Sequence, residues 1–166
     1  IGKALQLHGL GNYKNVHVNM LSDVSAEKPD RATILSALQF AEQAGPNDTV
    51  VIFLASHGIS DQSGNYYFVP RDVQLQDIAR AQKGEEVKSL ISWTAFFDAL
   101  RGVAGRRVLI VDTCHAKNIE GSFEAHSLLK RSAASQFALI VAAKGNEESQ
   151  EYSEAKHGLF TYSLLA

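Results

Sequence analysis

Three short runs of the chain are almost wholly apolar: Thr49-Val-Val-Ile-Phe-Leu-Ala55, Arg107-Val-Leu-Ile-Val-Asp112 and Phe137-Ala-Leu-Ile-Val-Ala-Ala143. A strand with one wet face alternates apolar and polar residues, whereas a continuous β-branched run suits a strand covered on both faces, as in a parallel sheet. Parallel neighbours need crossover connections, and helical patterns stand between the runs. Pro29 reads as part of a first helical turn, and Ile34, Leu38 and Ala41 follow at four and three spacing, so a helix is expected to about Ala44, stopping at Gly45-Pro46. Ser92 is positioned to cap a helix that carries Trp93, Phe96, Phe97 and Leu100 on one face until Gly102. The opening residues to His8 read as the end of a helix closed by Gly9 and Gly11, and Asn15 to Leu21 alternates like a half-buried strand. Ser63-Gly64-Asn65 before Tyr66-Tyr-Phe-Val69 predicts a hairpin excursion, with Pro70 barring a central ladder position. Gln74 to Lys88 reads as a surface connection, Ser127 to Ser132 as part of a helix, and Asn146 to Glu154 as an acidic loop leading to a last helix after Gly158. The alternation predicts an α/β domain with a mostly parallel sheet flanked by helices and joined by right-handed crossovers.

The chain has 166 residues, 45% of them hydrophobic, enough for one domain with a real core but not for two. A single domain over 1–166 is therefore expected, as an incomplete fragment at both ends, since the chain opens inside a helical pattern and stops inside another. A net charge of −2 lacks the basic footprint that nucleic acid or an anionic membrane surface selects. The single cysteine forms no internal disulfide, which points to a reducing, cytoplasmic setting. The longest apolar run falls far short of a membrane span, and no secretory signal pattern opens the chain.

In open parallel sheets, ligands bind beyond the carboxyl ends of the strands. Ser56-His57-Gly58 follows the first apolar run, and Asp112-Thr113-Cys114-His115 closes the second. One strand end thus offers an imidazole and the other the only thiol. A thiolate that attacks a carbonyl carbon needs an imidazole to take its proton and later deliver it to the leaving amine. Gly58 lets backbone approach a substrate closely, and its N–H with that of Cys114 is the candidate oxyanion pair, a donor of this kind being worth roughly 3–4 kcal/mol in acyl transfer. Taken singly, a strand-end cysteine is an inert buried thiol and a histidine before glycine is a surface group; their joint placement favours chemistry. Asp112 lies two residues before Cys114, and strand alternation gives both one face, where a dehydrated carboxylate selects a cation. Other chemistries fail on the same residues. A tyrosine-phosphatase loop requires arginine where this chain has Glu120, no Gly-x-Ser-x-Gly elbow or phosphate-binding loop occurs, and Cys114, His115 and His57 lack the paired spacing of structural zinc. No metal site is expected from spacing. His8, His17 and His126 read as solvated or helix-end residues.

Phe53-Leu-Ala-Ser-His57-Gly58, Tyr66-Tyr-Phe-Val-Pro-Arg-Asp72, Leu109-Ile-Val-Asp-Thr-Cys114-His115 and Gly158-Leu-Phe-Thr-Tyr-Ser-Leu-Leu165 together resemble the caspase-like cysteine peptidases of clan CD, of the bacterial metacaspase or orthocaspase kind. Two motifs depart from the common pattern: Ala55-Ser56-His57-Gly58 stands for Ser-Gly-His-Gly, and Cys114-His115-Ala116-Lys117 for Cys-His-Ser-Gly. The resemblance implies the caspase-hemoglobinase fold, a His57–Cys114 dyad, and Asp112 in a primary pocket that selects Arg or Lys in a protein or peptide substrate. It further implies maturation by cleavage of the segment after the nucleophile, where Lys130 and Arg131 are adjacent, although a helix end whose cations sit near its carbonyls is the favoured reading of that pair; by resemblance alone it implies a calcium cofactor, for which Glu147, Glu148, Glu151 and Glu154 supply only a bare acidic run. The family's first strand, with the acidic residue after it, has no counterpart before Ile1; it would lie between the Val16 strand and the Thr49 strand, so a missing N-terminal segment or partner chain is expected to fill that place. The alternative from another class is a non-catalytic caspase-like scaffold in a larger assembly.

Overall fold

The computed structural model describes residues 2–113, 137–141, 151–152 and 157–158. In chain order these form α1 (Gly2–Gly9), α2 (Arg31–Ala41), β1 (Thr49–Ser56), β2 (Gly58–Ser60), β3 (Tyr66–Phe68), α3 (Leu75–Gln82), β4 (Ile91–Ser92), α4 (Trp93–Gly102), β5 (Arg106–Thr113), β6 (Phe137–Val141), β7 (Glu151–Tyr152) and β8 (His157–Gly158).

The three apolar runs become one parallel sheet in the order β1-β5-β6. Alternation sorts each strand between two faces. Val50, Ile52 and Leu54 of β1 share a face with Leu109 and Val111 of β5 and with Phe137, Leu139 and Val141 of β6. Onto this face pack Ile34 and Leu38 of α2 and Trp93, Phe96, Phe97 and Leu100 of α4. Phe96, Phe97 and Leu100 are wholly buried, a burial worth about 1.5–3 kcal/mol for each such side chain. Arg107 ties the layers together, its Nη1 donating to the Leu100 carbonyl at 3.2 Å.

A second, antiparallel sheet in the order β2-β3-β4 leaves the end of β1 as an excursion. Its middle strand β3 ends at Phe68, so Pro70 removes no ladder bond. Tyr66 and Phe68 point into the main core, while Tyr67 and Val69 join Ile59, Leu90 and Ala81 in a small cluster beneath α3. The hairpin turn is held by Asp61, whose carboxylate accepts from the Ser63 and Asn65 backbone N–H groups at 2.9 and 2.8 Å and from Asn65 Nδ2 at 2.8 Å.

Several expectations are corrected here. Residues 15–21 pair with no strand among the described residues, because an alternating extended segment becomes a strand only where a ladder partner lies beside it. The run 49–55 is not covered on both faces: Val51 is 38% exposed and Ala55 is exposed, since both helices α2 and α4 serve the opposite face. The 74–88 connection contains α3, whose Ile78 and Ala81 pack on the small sheet although half of its residues are polar. Pro29 lies outside α2. Asp30 occupies the N-cap without a side-chain cap bond, and the Arg31 N–H instead donates to Asp72 Oδ1 at 2.9 Å, so this helix start is capped from a distant segment. Ser92 occupies the α4 cap position, yet its hydroxyl accepts from Thr94 Oγ1 at 3.0 Å rather than from a backbone N–H. The acidic loop carries β7 at Glu151–Tyr152, paired antiparallel with β8.

Candidate active site at the carboxyl ends of the parallel strands

The site begins at the opposite end of the sheet, where β1 and β5 are brought into step. The Arg106 N–H donates to the Asp48 carbonyl at 2.9 Å and its Nε to Thr49 Oγ1 at 3.0 Å. Gly105 makes that approach feasible, for a Cβ there would overlap the carbonyl oxygens of Asp48 and Gly45. From Thr49↔Arg106 the two eight-residue strands run without a bulge to Ser56↔Thr113. Their carboxyl ends are therefore level. His57 is the next residue after Ser56, and Cys114 is the next after Thr113 in the chain. Cys114 lies outside the described residues, as do Lys130, Arg131, Glu147, Glu148 and Glu154, and the Ser127–Ser132 and post-Gly158 helices expected above.

His57 is exposed and sits at the corner where the chain leaves one sheet for the other. Its backbone is fixed, because the Val69 N–H donates to the His57 carbonyl at 3.1 Å. Asp112 is opposite Ala55 in the ladder, is only 8% exposed, and by alternation lies on the other face of β5 from Val111 and Thr113.

Gly58 has a structural reason that sequence reasoning missed. A Cβ at this position would overlap the hydroxyl and ring of Tyr66, which crosses the backbone here. Tyr66 is itself buried, stacks edge-on against Trp93 at 5.1 Å between ring centroids, and meets the Thr113 hydroxyl with its own in a hydrogen bond. Gly58, which follows His57, and Thr113, which precedes Cys114, thus meet in a buried contact at Tyr66. Nothing in the spacing of positions 58, 66 and 113 signals it; a glycine next to histidine and an aromatic in the following hairpin strand were the only traces.

Two surface depressions flank α2, of about 460 Å³ beside Asn19, Glu27 and Phe40, and of about 370 Å³ beside Arg31, Tyr67 and Glu86; neither is lined by His57 or Asp112. Among the described residues no three His, Cys, Asp or Glu side chains converge as metal ligands, and no helix is long and apolar enough to cross a membrane. No curated protein matches the chain. The family model of the caspase domain matches residues 7–166. With helices packed on a parallel sheet and a histidine at the carboxyl end of its strand, the chain belongs to the caspase domain family, a family of cysteine peptidases.

Proposed function

We propose that the chain is a cysteine endopeptidase of metacaspase-like preference, cleaving peptide bonds after Arg or Lys with Cys114 as nucleophile and His57 as general base. The observation that carries this reading is the unbroken register from Thr49↔Arg106 to Ser56↔Thr113, which leaves His57 and the end of β5 level at one sheet edge. Partners in a parallel ladder share a face, so Ala55 and Asp112 stand on one face at the level ends of the two strands. On this reading the imidazole takes the thiol proton, the thiolate attacks the scissile carbonyl, and the N–H groups of Gly58 and Cys114 receive the oxyanion. The protonated imidazole then delivers its proton to the leaving amine, and water, activated by the same base, hydrolyses the thioester. Asp112 is the candidate for the basic preference: it stands opposite Ala55 near the level strand ends, and arginine can offer a carboxylate two parallel hydrogen bonds.

The experiment is cleavage of matched peptides with Arg, Lys, Asp or Leu before the scissile bond, together with labelling by a peptide electrophile carrying Arg. Labelling at the chain's single cysteine, and loss of about 10²–10⁴-fold in kcat/KM in His57→Ala, are expected. Full turnover in Cys114→Ala overturns the dyad, and absence of both labelling and turnover turns the reading to the scaffold. Equal cleavage of the Asp peptide overturns the basic preference, and an Asp112→Ala variant that keeps the Arg preference clears Asp112 of the role.

A further inference from the structure

The hydrogen bond between Tyr66 and Thr113 joins the two halves of the proposed site. Tyr66 belongs to β3 of the small sheet, and Thr113 ends β5 of the parallel sheet. The tyrosine ring has little freedom, since the Gly58 backbone lies against one part of it and the Trp93 ring against another, at an interplanar angle of 85°. Its hydroxyl therefore holds one place, and through Thr113 it fixes the end of β5 relative to the corner that bears His57. Thr113 is 2% exposed and shares the core face with Val111, opposite to Asp112. The pair thus lies on the opposite face of β5 from Asp112.

We propose that Tyr66 and Thr113 are positioning residues for the proposed reaction, their hydroxyl pair setting where the end of β5 stands relative to His57; the proposal rests on the dyad reading above. A dyad needs its base within hydrogen-bond reach of the thiol, and a displacement near 1 Å can cost on the order of 100-fold in rate. The hydroxyl pair is a side-chain hydrogen bond between β3 and β5, whose Tyr66, Phe68, Leu109 and Val111 also pack in one core.

Tyr66→Phe and Thr113→Val each remove one hydroxyl and keep the packing. Each is expected to lower kcat about 10-fold with little change in KM, and to raise the pH at which the single cysteine becomes reactive toward iodoacetamide. Thr113→Ser, which keeps the hydroxyl, is expected to retain both, and the double variant to be no worse than either single one. A merely structural bond would lower the melting temperature and leave the kcat of folded enzyme and the alkylation profile unchanged, which overturns the proposal, as do losses that multiply in the double variant. Full activity in Cys114→Ala overturns the dyad reading beneath it; loss in Cys114→Ala with wild-type kcat and pH profile in both hydroxyl variants overturns the positioning role alone.

Discussion

Adding one methyl group at Gly58 tests the packing that lies under the site. In Gly58→Ala the new Cβ overlaps the Tyr66 hydroxyl and ring, and neither side has room to yield. The ring is 4% exposed and backed by Trp93, while the backbone is held by the Gly58↔Phe68 pair and by the Val69 N–H on the His57 carbonyl. Overpacking typically costs about 1–3 kcal/mol, and this pinned backbone puts the expected loss near ~3 kcal/mol. Tyr66→Ala empties the same space and should cost ~3–5 kcal/mol, by the scale of buried aromatic truncations. Were the two independent, the double variant would lose roughly 6–8 kcal/mol, most of the stability of a typical domain. The methyl group instead enters the space the ring vacates, so the double variant should lose only ~3–5 kcal/mol. Urea unfolding followed by far-UV circular dichroism and by the emission of Trp93, the single tryptophan, reads both variants and their combination. Gly58→Ala within about 0.5 kcal/mol of wild type, or additive losses in the double variant, would falsify the reasoning.

Three further outcomes follow from other contacts. Burial pushes the Asp61 carboxyl up, but hydrogen bonds from the Asn65 side chain, the Asn65 and Ser63 backbone and the Tyr67 hydroxyl outweigh it and hold the group below its ordinary value. The unfolded chain then binds this proton at a higher pH than the folded one, so the turn's contribution is complete above roughly pH 4 and fades as pH falls through the lower folded value; Asp61→Asn should flatten that part of the stability profile, and parallel profiles for the two proteins would contradict the assignment. Gly105→Ala should destabilise by ~3 kcal/mol or more, because its Cβ meets the backbone carbonyls of Asp48 and Gly45 rather than a side chain that can swing away; an unchanged urea midpoint would show that the β1–β5 start relaxes freely. Asp72→Ala removes the acceptor of the Arg31 N–H and should cost about 0.5–2 kcal/mol, the scale of a lost helix cap, with Asp72→Asn recovering most of it.

The parts of the fold that were legible in the chain are those whose residues report on a single partner surface. Trp93, Phe96, Phe97 and Leu100 form one stripe because α4 has one core to face, and the stripe ends at Gly102 as the helix does. The apolar runs at 49–55 and 107–112 were legible as parallel strands by a different signal, their lack of polar alternation. What their composition does not carry is coverage: β1 and β5 look alike as sequences, yet Val51 is 38% exposed while Val111 is wholly buried. Burial depends on which elements lie against each face, and neither strand contains that information. The α3 helix stayed hidden because its buried side is only Ile78 and Ala81, too narrow a stripe to stand out from a polar segment.

At the site, residue type and register carried different shares of the information. Strand ends after apolar runs drew attention to His57, Asp112 and Cys114 because binding sites of parallel sheets collect there. Whether those ends are level depends on where pairing starts, and that is decided some distance away by the Arg106 N–H on Asp48 and by the bare backbone at Gly105. A shift of one residue at that start would move Thr113 off Ser56 and reverse which face each strand-end side chain takes. Gly58 shows the converse case. Its lack of a side chain suggested room for a substrate, whereas the space belongs to Tyr66, whose hydroxyl reaches Thr113. The residues that aim the two strand ends are thus buried and uncharged, and a search for titratable groups does not find them.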